Sequence, residues 1–147
     1  MNILVINGPN LNLLGTREPH IYGTQTLAEI ENELINFFPQ VHFYFFQSNH
    51  EGAIIDELQK TIGKNFDGII INPAAYSHYS YAIRDTITAL SIPVIEVHIS
   101  NILLREEFRK YSVISEVCIT QISGFGTQGY NIAVETLLHH SNTKETV

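Results

Sequence analysis

The feature that most constrains this chain is an alternation of short runs rich in β-branched residues with stretches whose apolar residues recur every three or four positions. The runs are Ile3 to Ile6, Val41 to Gln47, Gly68 to Ile71, Val94 to Val97 and Val117 to Ile122. Each is too short and too continuously apolar for a surface helix, which predicts strands buried on both faces, as in a parallel sheet. Between them, Leu27-Ile30-Leu34-Phe37, Ile54-Ile55-Leu58-Ile62 and Ala82-Ile83-Ile87-Leu90 have the spacing of amphipathic helices. A last helix is predicted from about Gln128 to His140. Pro39 and Pro93 mark helix-to-strand connections, and Gly63 suits a helix end. Strand and helix in strict alternation predict an α/β fold, a doubly wound five-stranded parallel sheet with helices on both faces. In its flavodoxin-like form the strand order is 2-1-3-4-5.

With 147 residues, 44% of them hydrophobic, the chain suits one compact core. The expectation is a single domain over 1–140 and a polar tail, 141–147, that frays. A formal net charge of -7 argues against a nucleic-acid footprint or an anionic membrane surface, so an anionic ligand would have to be caught by a local positive site. No apolar run approaches the roughly 20 residues of a membrane span, and Met1-Asn2-Ile3-Leu4 does not read as a secretory signal. A cytoplasmic location is expected. Cys118 is the one cysteine and lies between Val117 and Ile119, where a buried inert thiol is the natural reading. Metal-ligand spacings such as His-Glu-x-x-His are missing.

In open α/β sheets, ligands bind beyond the carboxyl ends of the strands. After the fourth run comes Glu96-Val97-His98-Ile99-Ser100-Asn101. Strand side chains alternate, so Glu96 and His98 share a side, and a carboxylate that orients an imidazole is half of an acid/base pair. Ser100 and Asn101 are candidate N-caps of a helix through Leu103 and Phe108, whose N-terminus would offer backbone N–H groups to an anion. After the third run comes Asn72-Pro73-Ala74-Ala75-Tyr76-Ser77-His78, and after the first come Asn10 and a long loop. Taken singly, Asn10 and Asn72 read as turn formers, and His78 as the start of the third helix with Ser77 as its cap. His98 is different, because a polar side chain on an apolar strand needs a partner. The loop from Asn7 to Thr24 is about 18 residues long where two to six are usual. Gly15 and Gly23 bracket its Arg17 and Tyr22 and would let it hinge. His42, His50, His139 and His140 suit surface positions, and Lys60 and Lys64 a solvated helix face. Gly124-Phe125-Gly126-Thr127-Gln128-Gly129 matches a dinucleotide-binding pattern, but the chain ends 18 residues later without the acidic strand that motif requires. A tight turn is the better reading.

Taken together, these segments resemble the type II 3-dehydroquinate dehydratases. The resemblance runs from Asn7-Gly8-Pro9-Asn10 through Gly15-Thr16-Arg17-Glu18-Pro19, Gln47-Ser48-Asn49-His50-Glu51-Gly52, Asn72 to His78, Ile95 to Asn101 and Arg105-Glu106-Glu107-Phe108-Arg109, to Gly124-Phe125-Gly126. It implies a cofactor-free lyase of the shikimate pathway. Such an enzyme converts 3-dehydroquinate to 3-dehydroshikimate through an enolate, on a flavodoxin-like fold assembled as a homododecamer, a tetramer of trimers. By the same resemblance Tyr22 is the base and Arg17 favours its anion. His98 is the acid that protonates the departing hydroxyl, Glu96 orients it, and Asn10 helps hold a water at the enolate oxygen. Asn72, His78, Ile99, Ser100 and Arg109 bind the substrate, and Asp85 reaches across a subunit boundary. The chemistry is coherent, since a phenol titrates near 10 and a base of this kind needs a cation beside it. Ser77 stands where many relatives have Thr, Leu103 and Leu104 where His and Ala are frequent, and Ala74 where Gly is frequent. The alternative class is a non-catalytic flavodoxin-like binding or signalling module. A receiver of that kind would want acidic residues where Asn7, Asn10 and Asn72 stand.

Overall fold

The computed structural model describes residues 1–144. Its five strands are β1 (Asn2–Asn7), β2 (His42–Gln47), β3 (Gly68–Asn72), β4 (Val94–His98) and β5 (Thr120–Ser123). All neighbours pair in parallel, in the order β2-β1-β3-β4-β5 expected of the flavodoxin-like form. The helices are α1 (Pro19–Tyr22), α2 (Leu27–Phe37), α3 (Glu51–Gln59), α4 (Tyr81–Thr88) and α5 (Gln128–Lys144). None is long and apolar enough to cross a membrane among the described residues.

Strand periodicity divides the core between the two sheet faces. Ile3, Val5, Ile70, Ile95 and Val97 pack with Ile30 and Leu34 of α2 and with Tyr130, Val134 and Leu137 of α5. Leu4, Ile6, Ile69, Ile71 and Val94 pack on the other side with Ile54 and Leu58 of α3 and Ile83 and Ile87 of α4. A capping box starts α2, where Thr26 accepts from the Glu29 N–H and the Glu29 carboxylate accepts from the Thr26 N–H. The register then brings polar strand ends into one line. Asn7 lies opposite Gln47 on one side and Asn72 on the other, and His98 lies opposite Ser123.

Several local expectations change. β5 begins at Thr120, because Val117 belongs to a 3-10 turn, Ser115–Val117, from which Val117 and Cys118 pack against the second core cluster. Apolar content alone could not separate the two. Phe38 rather than Phe37 turns inward at the end of α2. The cap of α4 is Ser80, which accepts from the Ile83 N–H, whereas Ser77 is buried in the 3-10 turn Ala74–His78. The helix expected after Ser100 is two 3-10 turns, Ile102–Leu104 and Glu107–Arg109, with Arg105 extended between them. α5 runs four residues past His140, to Lys144, so the first part of the expected tail is helical, and 145–147 lie outside the described residues.

Candidate active site

β4 delivers Glu96 and His98 to the same side of the sheet, and Glu96 is fully buried. His98 Nε2 donates to Glu96 Oε1 at 2.6 Å, and the Ser112 hydroxyl reaches both carboxylate oxygens, at 2.8 and 3.0 Å. With Nε2 committed, the proton His98 can transfer sits on Nδ1. His78 lies nearly parallel to this ring, centroids 6.3 Å apart, and its Nδ1 donates to the Tyr111 carbonyl at 2.8 Å. Burial holds the His78 pKa below the usual imidazole value. The Tyr111 carbonyl opposes that shift, and the charges of His98 and Arg109 reinforce it. His78 therefore presents a neutral Nε2, an acceptor for a hydroxyl. The glycine turn seen in the sequence closes over the end of β4. Gly124 (φ 87) donates to the His98 carbonyl and Gly126 (φ 59) to that of Ile99, as a tight turn and not as a phosphate cradle.

β3 and β1 supply the next wall. Asn72 Oδ1 accepts from the Ala74 N–H at 3.2 Å, and its Nδ2 donates to the Tyr130 hydroxyl at 3.1 Å. Tyr130 in turn donates to Asn7 Oδ1 at 2.5 Å. Tyr130 is fully buried, and that burial pushes its hydroxyl far above the usual phenol range. The two strand ends are stitched together at Gly8, whose N–H donates to the Asn72 carbonyl at 2.8 Å. A Cβ on Gly8 would lie 2.7 Å from the Pro73 oxygen. Asn10 takes a left-handed conformation (φ 68) and is anchored through its N–H to Asn49 Oδ1 at 3.0 Å. Ala74 is also left-handed (φ 51), which explains why glycine suits that position.

The long loop forms the lid. Gly15 (φ 92) and Gly23 (φ 81) adopt angles that favour glycine, and α1 between them buries no residue. Tyr22 lies between two guanidinium groups, those of Arg17 at 5.0 Å and Arg105 at 5.4 Å from its ring centroid. The one that reaches its hydroxyl is Arg105, through Nη1 at 2.7 Å; the same nitrogen lies 3.3 Å from the Ser100 hydroxyl. Arg17 pairs instead with Glu18 at 3.2 Å. A guanidinium donating to a phenol oxygen stabilises negative charge there.

A cavity of about 170 Å³ lies between lid and strand ends, lined by Asn10, Arg17, Tyr22, Asn72, His78, His98, Ile99, Ser100 and Arg109 of the expected residues. Glu96 stands behind His98, and Asp85 is exposed on α4 away from this cavity. The expected helix N-terminus is replaced by arginines. Arg105 and Arg109 line the cavity, while the Asn101 side chain caps only the short turn that follows it. Arg105, Ser112 and Tyr130 carried no assigned role in the sequence. For Ser112 and Tyr130 the one signal available was a hydroxyl in an apolar stretch that must find a partner once buried, and Arg105 gave none.

Comparison with known proteins agrees with this geometry. A family model described as dehydroquinase class II matches residues 1–138. The 3-dehydroquinate dehydratase of Caldicellulosiruptor saccharolyticus is 60% identical over 138 residues, covering 92% of this chain and 94% of the relative. That of Bacillus subtilis is 51% identical over 139 residues, covering 93% of each chain. The crystal structure of a type II dehydroquinase from Butyrivibrio crossotus superposes with a TM-score of 0.91 at 51% identity, covering 93% of this chain and 97% of that one. The parallel order β2-β1-β3-β4-β5, a cavity lined by both Tyr22 and His98, and a family match across nearly the whole length agree: the chain belongs to the class II dehydroquinases.

Proposed function

We infer that the chain is a lyase that dehydrates 3-dehydroquinate to 3-dehydroshikimate in the shikimate pathway, with Tyr22 as base and His98 as acid. The observation that carries the assignment of roles is the placement of two charge-assisted pairs, Tyr22 with Arg105 and His98 with Glu96, around one cavity. The Tyr22 oxygen takes the proton from the carbon next to the ketone, and the electron pair moves onto the ketone oxygen. Asn10 and Asn72 both line the cavity, where Asn10 helps hold a water at the enolate oxygen and Asn72 binds the substrate. As the enolate collapses, the carbon–carbon double bond forms and the β-hydroxyl leaves with the proton of His98 Nδ1 as water. Loss as water matters because hydroxide is a poor leaving group. His78 accepts from a substrate hydroxyl. Ser100, the backbone at Ile99 and the arginines hold the carboxylate, so an acidic chain still captures an anion through a local positive site. Arg17 covers the face of Tyr22.

We place Asp85 at the neighbouring subunit's site, in a dodecamer made of four trimers, and the exposed position of Asp85 on α4 supports this reading. The functional unit is residues 1–140 and its location cytoplasmic; no cofactor enters the scheme. Purified protein given 3-dehydroquinate will develop the ultraviolet absorbance of a conjugated enone. Borohydride added with substrate will leave it active, since no imine forms. A folded oligomer that produces no absorbance change would remove the assignment, and light scattering tests the assembly.

A further inference from the structure

We propose that Ser112 is a positioning residue for the acid step, holding Glu96 so that Glu96 holds His98. This rests on the acid role of His98 proposed above. Glu96 is fully buried and Ser112 nearly so, and the contacts between them exclude a casual encounter. The Ser112 oxygen already accepts the N–H groups of Ile114 at 3.2 Å and Ser115 at 3.1 Å. Both of its acceptor positions are then taken, and its single proton is left for the carboxylate, which it reaches at 2.8 and 3.0 Å. His98 Nε2 and Ser112 Oγ both meet Glu96 Oε1, so the carboxylate is pinned from two sides and cannot rotate away from the imidazole. A buried carboxylate held by the imidazole alone would lack a second donor and would be free to turn.

Ser112 also sits on a strap that serves both histidines. The preceding carbonyl, that of Tyr111, accepts from His78 Nδ1, and the following N–H, that of Val113, donates to the Ser77 carbonyl at 2.8 Å. Three successive residues therefore hold the two imidazoles in complementary states, His78 bound through Nδ1 and His98 through Nε2. Displacing Ser112 leaves the backbone contacts to His78 and Ser77 in place and removes the hydroxyl alone. Its effect is therefore confined to the acid, and substrate binding and enolate formation at Tyr22 stay intact.

The experiment follows two rates in deuterated solvent. Enone absorbance reports dehydration, and proton NMR of recovered 3-dehydroquinate reports exchange at the carbon beside the ketone, which needs the base but not the acid. Ser112→Ala is expected to lower kcat about ten-fold, a part of what a placed general acid contributes, with KM nearly unchanged. The ratio of exchange to dehydration rises by the same factor. Ser112→Thr, which keeps a hydroxyl, restores the wild-type ratio. Should Ser112→Ala fail to fold, Ser112→Cys keeps the volume with a weak donor and gives the same test. A wild-type kcat in Ser112→Ala or Ser112→Cys, or an equal fall of exchange and dehydration, overturns the proposal. His98→Asn separates the two ideas: if it abolishes dehydration while Ser112→Ala does nothing, Ser112 alone is wrong. If His98→Asn dehydrates normally, the acid role of His98 falls and the proposal with it.

Discussion

His98 ends a strand whose residues are all buried, beside a carboxylate with no solvent exposure, whereas Tyr22 ends a four-residue helix with no fully buried residue and is itself half-buried at the edge of the core. The first is held by sheet register, by Glu96 and through it by Ser112. The second is held by glycine-bracketed backbone, by the guanidinium groups of Arg17 and Arg105 against its ring and by one side-chain hydrogen bond to Arg105, a residue 83 positions away. Strand ends are rigid because every backbone group on them is paired and every apolar neighbour is packed, while a loop with few buried contacts opens at low cost. The comparison teaches that the proposed acid and base differ in how firmly the fold holds them. The side of the cavity that holds the proposed acid is built into the sheet, whereas the proposed base is carried by the long loop.

The widest separation between the two regions is expected from His98→Ala. It removes the proposed acid, lowering turnover about 10²- to 10⁴-fold, and strands a buried carboxylate, costing about 3–5 kcal/mol. Assay together with denaturant unfolding reads both effects, and unchanged stability would show that the floor of the cavity, formed by the strand ends, is not the rigid element. Tyr22→Phe is expected to lose a similar factor in turnover while unfolding stays within about 0.5 kcal/mol of the parent. A large destabilisation there would tie the lid to the core and erase the contrast.

Smaller effects lie within the floor. Tyr130→Phe leaves Asn7 and Asn72 short of a partner and is expected to cost about 1–3 kcal/mol at neutral pH. The same change reshapes alkaline stability. The folded state raises the proton affinity of Tyr130, so its contribution is intact below the unfolded phenol value of about 10. That contribution drains away as pH climbs beyond that value. Thermal melts from pH 8 to pH 11 should fall steeply for the parent and less steeply for Tyr130→Phe; parallel curves would reject this source of alkaline sensitivity. The smallest effect is a gain. Ala74 occupies left-handed backbone at φ 51, and Ala74→Gly should stabilise by about 0.5–1 kcal/mol, read as a raised melting temperature.

The α/β alternation was readable because continuous β-branched runs and a period-3.6 pattern are strong in this chain, the strand order came with the family resemblance, and the same-side placement of Glu96 and His98 followed from the pleat alone. Convergence of Asn10, Asn72 and His98 followed from the rule that parallel strands gather their carboxyl ends. The contact of Arg105 with Tyr22 was beyond such reasoning. It spans 83 positions, and it depends on a break in the expected helix that leaves Arg105 extended between two turns. Ser77 and Ser80 are equally good caps on paper. Burial of Ser77 against the strap decides between them, and burial is a property of the whole fold. Asn72 and Tyr130 illustrate the same limit, since Asn72 looked like a turn residue and Tyr130 carried no role, yet the Tyr130 hydroxyl links Asn72 to Asn7.

Gly8 has a bearing on how this protein can change over generations. Because a single added carbon there would press on the Pro73 oxygen, every substitution drives apart the strand ends that carry Asn7 and Asn72. Saturation mutagenesis under growth selection would leave that codon blank apart from glycine. Gly23, where an added Cβ meets nothing within 4 Å, would accept weak alleles. Inherited variation in substrate handling is thereby channelled towards the lid, and an inhibitor gripping the Gly8 side of the cavity would meet fewer routes to resistance than one gripping the lid.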